Sequence, residues 1–200
     1  YQKPGCPIIV DLNGDGLITV EDVDMKNVIP SLYWGFGNTF TYKNWDLDVF
    51  IYSQLGVDKY NDVYSWTSGR GLGNQTNNMS VYIKDVWHSE LNPNGTIPGI
   101  AYEMASVSLP GGAGTDIGYE NSSFVRVRNI TLGYNFKPNQ LGALSKLLSG
   151  IRVYVDVQNP FTFTGYTGLD PEVNTGGNYK GGKAEYPQTR TFSLGAKLSF

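Results

Sequence analysis

The 200-residue chain has a formal net charge of −3 at pH 7, and its composition is unusual for a soluble domain. Charged residues make up 16%, against about 25% in ordinary soluble domains, whereas aromatics reach 14% and glycine occurs 25 times. Many turn-forming and aromatic residues with little charge favour β-structure. No Lys/Arg cluster could neutralise phosphates, which excludes a nucleic-acid partner. The single cysteine, Cys6, excludes an intrachain disulfide.

The first element, within residues 1–31, is an acidic loop with the spacing of a twelve-residue calcium loop. Oxygen-bearing side chains stand at positions 1, 3, 5 and 12, and Gly16 at position 6 permits the sharp turn. We predict a structural calcium ion as cofactor, bound by Asp11, Asn13, Asp15, the carbonyl of Leu17, and Asp22. Position 12 usually holds a bidentate Glu, so a turn without metal is the alternative.

Residues 32–54 are predicted to form a β-hairpin. Apolar residues alternate with Gly, Thr and Asp on both sides of Lys43-Asn44, which is typical of two half-buried strands joined by a tight turn. The apolar positions are Trp34, Phe36, Phe40, Tyr42, Trp45, Leu47, Val49 and Ile51. Residues 55–123 lack such alternation and contain a Gly-rich stretch, which predicts a long loop.

Residues 124–200 are predicted to contain the last strands. Between Phe124 and Phe136 the apolar positions change from odd to even, which indicates a β-bulge near Arg128-Asn129. A further strand starts at Ile151, and the last one runs from Arg190 to Phe200. One face of these last two strands is apolar, at Ile151, Val153, Val155, Val157, Phe192, Leu194, Ala196 and Leu198. The opposite face carries Arg152, Asp156, Ser193 and Lys197.

The connections between the five predicted strands alternate between long and short. If the last strand ends in the periplasm, residues 1–31, 56–123 and 160–188 lie outside the cell, and residues 43–44 and 137–150 lie inside. Bacterial barrels have this arrangement, with long extracellular loops and short periplasmic turns. We therefore predict an all-β chain of about five antiparallel strands from a large transmembrane β-barrel, with membrane lipid against its apolar face.

The aromatic residues divide into two predicted sets. At strand ends, the membrane-interface aromatics are Trp34, Tyr42, Trp45, Phe136 and Phe200. In the external loops, the residues predicted to contact a substrate or a lid protein are Tyr64, Trp66, Tyr102, Tyr119, Tyr166 and Tyr179.

Catalytic chemistry finds little support, so we predict no catalytic residue and no enzyme activity. His88 is the only histidine, which rules out a His-based metal cluster. The pair Asp170 and Glu172 could be imagined as glycosidase carboxylates, but Asp170-Pro171-Glu172 has turn chemistry, which favours a structural role.

Several motifs, in the right order along nearly the whole chain, resemble the C-terminal part of SusC/RagA-family TonB-linked outer-membrane proteins of Bacteroidetes. They are Asp11-Leu12-Asn13-Gly14-Asp15-Gly16, Tyr42-Lys43-Asn44-Trp45-Asp46-Leu47, Ser123-Phe124-Val125-Arg126-Val127-Arg128-Asn129-Ile130-Thr131-Leu132-Gly133-Tyr134, Arg152-Val153-Tyr154, Gln158-Asn159-Pro160-Phe161, Gly168-Leu169-Asp170-Pro171-Glu172 and Tyr186-Pro187-Gln188-Thr189-Arg190-Thr191. Pro7-Ile8-Ile9-Val10 and Asn135-Phe136-Lys137-Pro138 depart from the usual family pattern.

The resemblance implies a barrel of about twenty-two strands, preceded by an N-terminal plug and a TonB box. Five strands cannot close a barrel, so the rest of the barrel is an expected partner. Further expected partners are a SusD-like surface lipoprotein acting as a lid and the TonB complex, reached through the N-terminal region. The expected function is import of oligosaccharides or peptides across the bacterial outer membrane. The terminal Phe200 resembles the barrel-assembly signal of such proteins.

Two alternatives belong to other classes of protein. One is a secreted, calcium-stabilised β-sandwich that binds glycans, although a dockerin-like module would need a second copy of the calcium loop. The other is a fragment of a glycan-active enzyme. A soluble module would stay in buffer, whereas a barrel segment would require detergent.

Overall fold

The computed structural model describes residues 4–5, 7–61, 64, 80–99, 116, 118–173 and 186–200. The chain divides into two compact units. One comprises residues 1–27, 58–120 and 174–185, and the other comprises residues 28–57, 121–173 and 186–200.

The described residues contain seven β-strands. Their bounds are β1 Leu32–Tyr42, β2 Trp45–Leu55, β3 Asp58–Tyr60, β4 Tyr119–Asn121, β5 Phe124–Phe136, β6 Gly150–Thr164 and β7 Thr191–Ser199. Five of them form an antiparallel sheet in the order β1-β2-β5-β6-β7. The all-β class and the five antiparallel strands are therefore confirmed. The pairing of β3 with β4 is a feature that the sequence did not predict.

The two-residue turn at Lys43-Asn44 is confirmed, with Tyr42 paired to Trp45 across it. Lys43 takes a φ of 55°, the left-handed conformation that tight hairpin turns require. The carbonyl of Asn44 accepts a hydrogen bond from the backbone N–H of Asn135 at 2.8 Å. This bond ties the turn to the neighbouring strand β5.

The predicted bulge in β5 is also confirmed. Val127 and Asn129 are paired with strands on both sides, but Arg128 between them has no partner in either ladder. One extra residue reverses the alternation of side chains, which explains the change of apolar positions in the sequence.

The strand register gives the sheet one apolar and one polar face. Directly paired residues share a face, and Leu47, Leu132, Val155 and Leu194 form one cross-strand row, whereas Asp48, Thr131, Asp156 and Ser193 form the next. The residues predicted for lipid in β6 and β7 pair with each other, as do Arg152 with Lys197 and Asp156 with Ser193. Phe192 and Leu194 are 70% and 78% exposed.

Short 3-10 helices occupy several connections, at Val20–Asp22, Val81–Asp85, Pro138–Gln140 and Gly142–Lys146. Within the part of the chain that the structure describes, no helix has the length and apolar character needed to cross a membrane.

Candidate functional site

The polar face of the sheet carries three groups of charged and polar side chains along its length. The first lies near the short turns, where Arg152 of β6 donates hydrogen bonds to the carboxylate of Asp46, with Nε at 3.2 Å from each oxygen. Asn135 donates to the same carboxylate at 2.5 Å. These bonds join β2, β5 and β6, three adjacent strands.

Two glycines make room for this first group. A side chain at Gly133 would place its Cβ 2.5 Å from the Asp46 carboxylate, and one at Gly195 would place its Cβ 2.4 Å from the Tyr154 ring. The Arg152 guanidinium lies 5.0 Å from the centre of that ring, within cation–π range. Tyr154 therefore covers Gly195 on β7, and Arg152 covers Tyr154.

The second group lies in the middle of the sheet and centres on Asp156, which is 9% exposed. One oxygen of its carboxylate accepts hydrogen bonds from Asn129 Nδ2 and Thr131 Oγ1, each at 2.6 Å. A buried carboxylate is tolerated because these donors replace lost water.

The third group lies at the opposite end of the sheet from the short turns and centres on Arg126, which is 2% exposed. Its Nη2 donates to Asp170 at 2.8 Å, its Nη1 donates to Glu172 at 2.7 Å, and its Nε donates to Thr162 at 2.9 Å. Arg128, the extra residue of the bulge, also donates to Glu172. Two arginines of β5 thus bind two carboxylates from a single loop.

We call that loop, residues 165–173, the strap. It follows β6 and folds back onto the polar face, where Arg126 and Arg128 hold it. Tyr166 is 9% exposed, and a Cβ at Gly168 would lie 2.4 Å from its ring, so the strap is compact. Asp170 also accepts the backbone N–H bonds of Glu172 at 2.8 Å and of Gln188 at 2.9 Å.

Burial raises the pKa of the Asp170 carboxyl, but the N–H donors of Glu172 and Gln188 and the Arg126 guanidinium more than offset it, and the net pKa lies below its ordinary value. A general acid would need a raised pKa. The Asp170 carboxylate is accordingly arranged to anchor the strap, and Glu172 anchors it through its ion pairs with Arg126 and Arg128.

The lowered pKa of Asp170 predicts how strap attachment depends on pH. A carboxyl whose folded pKa is depressed contributes stability above its unfolded pKa and loses it as pH falls through the folded pKa. We expect attachment to be constant from neutral pH down to about 4 and to weaken below that. Hydrogen exchange of the Glu172 and Gln188 amides measures this. Asp170→Asn should remove the dependence, and weakening already between pH 7 and 5 would contradict it.

The predicted calcium ligands all lie in one described loop. Asp11 accepts the N–H groups of Gly14 at 2.6 Å and Gly16 at 2.7 Å, and Asp22 accepts those of Leu12 at 2.8 Å and Thr19 at 2.7 Å. The N–H of Thr19 is the main cause that lowers the pKa of Asp22. Among the described residues, no three acidic, histidine or cysteine side chains converge as a metal cluster. The calcium ion stays a prediction.

The predicted interface aromatics on strands β1, β2 and β5 share the apolar face. Tyr42 pairs with Trp45 near the short turns, and Trp34 lies eight residues away along β1. Eight residues span about 27 Å along a strand, or roughly 20 Å of depth at a tilt of 35–45°, near the ~25 Å apolar band of such barrels. Phe136 pairs with Ile151 on the same face. Phe200, 89% exposed, follows the last paired residue of β7.

The aromatic cluster at the short-turn end contains one residue more than the predicted interface aromatics, Tyr134. The ring of Tyr134 lies 4.8 Å from that of Trp45 and 4.7 Å from that of Phe136. Its hydroxyl accepts a hydrogen bond from Gln140 Nε2 at 3.2 Å. Tyr134 combines an apolar ring with a polar tip, as interface aromatics do.

The residues predicted to contact a substrate or lid are only partly described. Trp66, Tyr102 and Tyr179 lie outside the described residues. Tyr64 has its ring 5.5 Å from that of Tyr82, and Tyr119 has its ring 5.2 Å from that of Tyr60. Tyr166 is buried within the strap. Contact of these six residues with a substrate or lid stays a prediction.

His88 has a structural role in the described chain. Its Nδ1 accepts the backbone N–H groups of Glu90 at 3.2 Å and Leu91 at 3.1 Å, which closes a turn. A turn-forming imidazole whose Nδ1 is occupied in this way is a poor general base.

The attachment of the strap to β5 is the functional feature that sequence reasoning missed. The signal was present, since Arg126-Val127-Arg128 sets two cations in one strand and Asp170-Pro171-Glu172 sets two acids in one turn. Their separation of more than 40 residues concealed the pairing.

Comparison with known proteins gives relatives along the whole chain. SusC of Bacteroides thetaiotaomicron, a TonB-dependent receptor, is 33% identical over 206 residues, covering 100% of this chain and 18% of that protein. The TonB-dependent receptor P3 of Formosa agariphila is 31% identical over 208 residues, covering 100% of this chain and 19% of its own. The chain belongs to the SusC/RagA family of TonB-dependent receptors. No family model matches it.

Solved structures agree with this assignment to the SusC/RagA family. The RagAB peptide transporter superposes with a TM-score of 0.70 at 26% identity, covering 88% of this chain and 18% of that chain. The RagAB peptide importer in its closed-closed state gives a TM-score of 0.69 at 27% identity, with the same coverage. This SusC/RagA chain is an outer-membrane protein, and it spans about a fifth of the length of these relatives.

Proposed function

We propose that this SusC/RagA chain forms a five-strand section of the wall of a TonB-dependent outer-membrane importer. The proposal rests on one observation, which is that one face of the sheet is apolar and the other is polar. Phe192 and Leu194 are highly exposed apolar side chains, as expected for residues that contact lipid. The ion pairs of Arg126 and Arg152 lie on the other face, as expected for a face that lines a water-filled lumen. A charged network facing lipid would be too costly to persist.

The proposed importer carries oligosaccharides or peptides under a SusD-like surface lipoprotein lid. Support comes from SusC, and from RagAB, which is described as a peptide importer. Energy would come from the TonB complex, which we expect to engage the N-terminal region of the whole protein. The remaining strands of the barrel are required partners, because the edges of β1 and β7 would otherwise leave backbone groups unpaired in lipid.

Uptake by cells tests the proposal directly. Cells that express the full-length protein should accumulate labelled oligosaccharides or peptides, and loss of TonB or of the partner lipoprotein should abolish accumulation. Separate glycan and peptide pools would identify the substrate class. Accumulation that persists without TonB would refute energised import.

A sandwich that binds glycans is not favoured by the described structure. Such a fold covers the apolar face of one sheet with a second sheet, because that is where its core lies. The exposure of 78% at Leu194 shows no such cover.

We further propose that the acidic loop binds one structural calcium ion. Gly14 and Gly16 adopt φ angles of 77° and 83°, and the carboxylate of Asp11 holds the turn closed. An ionised carboxylate has about four acceptor sites, so these bonds leave capacity for a cation. Ligand oxygens at about 2.3–2.6 Å are expected.

A calcium titration of the full-length protein checks the metal site. We expect slower hydrogen exchange at residues 11–22 with a midpoint on the order of millimolar, and no change in the strands. Asp11→Asn combined with Asp15→Asn should abolish the effect. Asp24→Asn is the matched control, since Asp24 pairs with Lys26 outside the loop. Unchanged exchange in the wild-type loop would argue against the site.

A further inference from the structure

The connection between β5 and β6, residues 137–149, places three leucines in one line. Leu144 donates its backbone N–H to the carbonyl of Leu141 at 3.1 Å, and Leu147 donates its own to the carbonyl of Leu144 at 3.0 Å. These are 3-10 turns with three residues per turn, so side chains three apart lie one above the other. Leu144 and Leu147 are 51% and 72% exposed, so two of the three leucines are largely uncovered.

The same end of the sheet carries three exposed lysines. Lys43 lies in the hairpin turn, and Lys137 and Lys146 lie in the connection. Neither the hairpin turn nor the connection contains Asp or Glu. Within the described residues, none of these lysines forms an ion pair. Asp46, the first acid after the hairpin turn, is bound by Arg152 on the polar face. The short-turn end therefore has a net positive charge.

Gln140 joins the connection to the apolar face of the sheet. Its side-chain oxygen accepts hydrogen bonds from Asn44 Nδ2 at 2.8 Å and from the backbone N–H of Lys137 at 3.0 Å, which brings the two turns together. Its Nε2 donates to the hydroxyl of Tyr134 at 3.2 Å. Tyr134 pairs with Trp45 on the apolar face. The connection is thus held at the aromatic cluster where the apolar face ends.

Exposed leucines and lysines without acids match the chemistry of an anionic lipid surface. Leucine side chains gain free energy when they leave water for the acyl boundary. Lysines near the surface are attracted to lipid phosphates, and their aliphatic stems can lie along apolar groups. A soluble anion would use the lysines alone. A phospholipid uses both features, because it has an anionic headgroup and acyl chains.

We propose that the β5–β6 connection is a binding surface for anionic phospholipid in the periplasmic leaflet of the outer membrane. Leu144 and Leu147 enter the acyl boundary, and the lysines of the two turns bind the lipid phosphates. Gln140 positions this surface by holding the two turns together. The proposal goes beyond the import function, and it rests on the outer-membrane location of the chain and on the predicted periplasmic side of the short turns.

Native mass spectrometry of the purified full-length protein in non-ionic detergent tests the surface. The probes are phosphatidylglycerol and phosphatidylcholine with the same acyl chains, and glycerol 3-phosphate as a headgroup without chains. Lys137→Gln combined with Lys146→Gln should weaken binding of the first phosphatidylglycerol about 25-fold, since each lysine near an anionic surface contributes about five-fold. Binding of phosphatidylcholine should stay within about two-fold.

Two further variants separate the leucines from the charge. Leu144→Ser combined with Leu147→Ser should weaken both lipids, because both have acyl chains. Lys84→Gln combined with Lys197→Gln is the matched control, since it removes the same charge from a 3-10 helix of the other unit and from the polar face. We expect it to change neither lipid.

Three results would overturn the lipid surface. They are equal weakening of phosphatidylglycerol by the two lysine pairs, lysine-dependent binding of glycerol 3-phosphate as tight as that of the lipid, and lysine-dependent binding of lipopolysaccharide in place of phosphatidylglycerol. The second would indicate a site for free phosphate, and the third would place the connection on the outer side. Lipid binding needs no transport, so failure of wild-type cells to accumulate any solute would overturn the import function alone.

Discussion

Arg126→Met should release the strap from the sheet and destabilise its attachment by about 3–5 kcal/mol, the usual cost of leaving one partner of a buried ion pair alone. Asp170 is only 8% exposed, so its charge could not recover full hydration without movement of the strap. The amides of Glu172 and Gln188, which donate to Asp170, report the opening free energy through hydrogen exchange.

Two further variants make this prediction specific. Arg128→Met should cost less than about 1 kcal/mol, because that arginine is 27% exposed and its carboxylate partner, Glu172, is also bound by Arg126. Arg126→Met combined with Asp170→Leu should recover much of the loss, since no charge is then stranded. Equal, small effects of Arg126→Met and Arg128→Met would show that the buried pair does not hold the strap.

Leu194→Arg should lower barrel stability by about 2–4 kcal/mol, the cost of arginine on the lipid face at mid-membrane. Leu194 lies on the apolar face in one row with Leu132 and Val155. The measurement is the amount of heat-resistant, folded full-length protein in the outer membrane. We expect a clear decrease with unchanged synthesis.

Ser193→Arg is the matched control, one residue away on the opposite face. Ser193 pairs with Asp156, so a new arginine there would meet a carboxylate in a polar setting. We expect near-normal amounts of folded protein. If Ser193→Arg were the more damaging of the two, the assignment of lipid and lumen faces would be reversed.

Much of the sheet could be predicted from the sequence because it depends on local, period-two patterns. The Lys43-Asn44 turn, the bulge at Arg128 and the two faces of β6 and β7 all follow from which neighbouring residues are apolar. In the five-strand sheet, each of the predicted strands pairs with the next one along the chain, as consecutive antiparallel strands tend to do. The short pair β3 and β4 was missed, since three-residue strands carry too little alternation to stand out.

Alternation patterns could not predict which side chains form ion pairs between residues that are far apart in the sequence. Asp46 and Arg152 are separated by 106 residues, and Arg126 and Asp170 by 44. In the sequence, Asp170-Pro171-Glu172 has only the features of a turn. The ion pairs that Asp170 and Glu172 form with Arg126 and Arg128 exist only because the fold places the strap against β5.

The sequence alone determined the all-β class, the alternating faces and the membrane character of this chain, because each depends on the identity of residues two apart along one strand. Tertiary structure alone decided that the loop after β6 folds back onto the polar face and that Gly195 leaves room for the ring of Tyr154. The reason is physical: charge neutralisation and close packing depend on distances in space, and sheet pairing brings together residues that the chain keeps far apart.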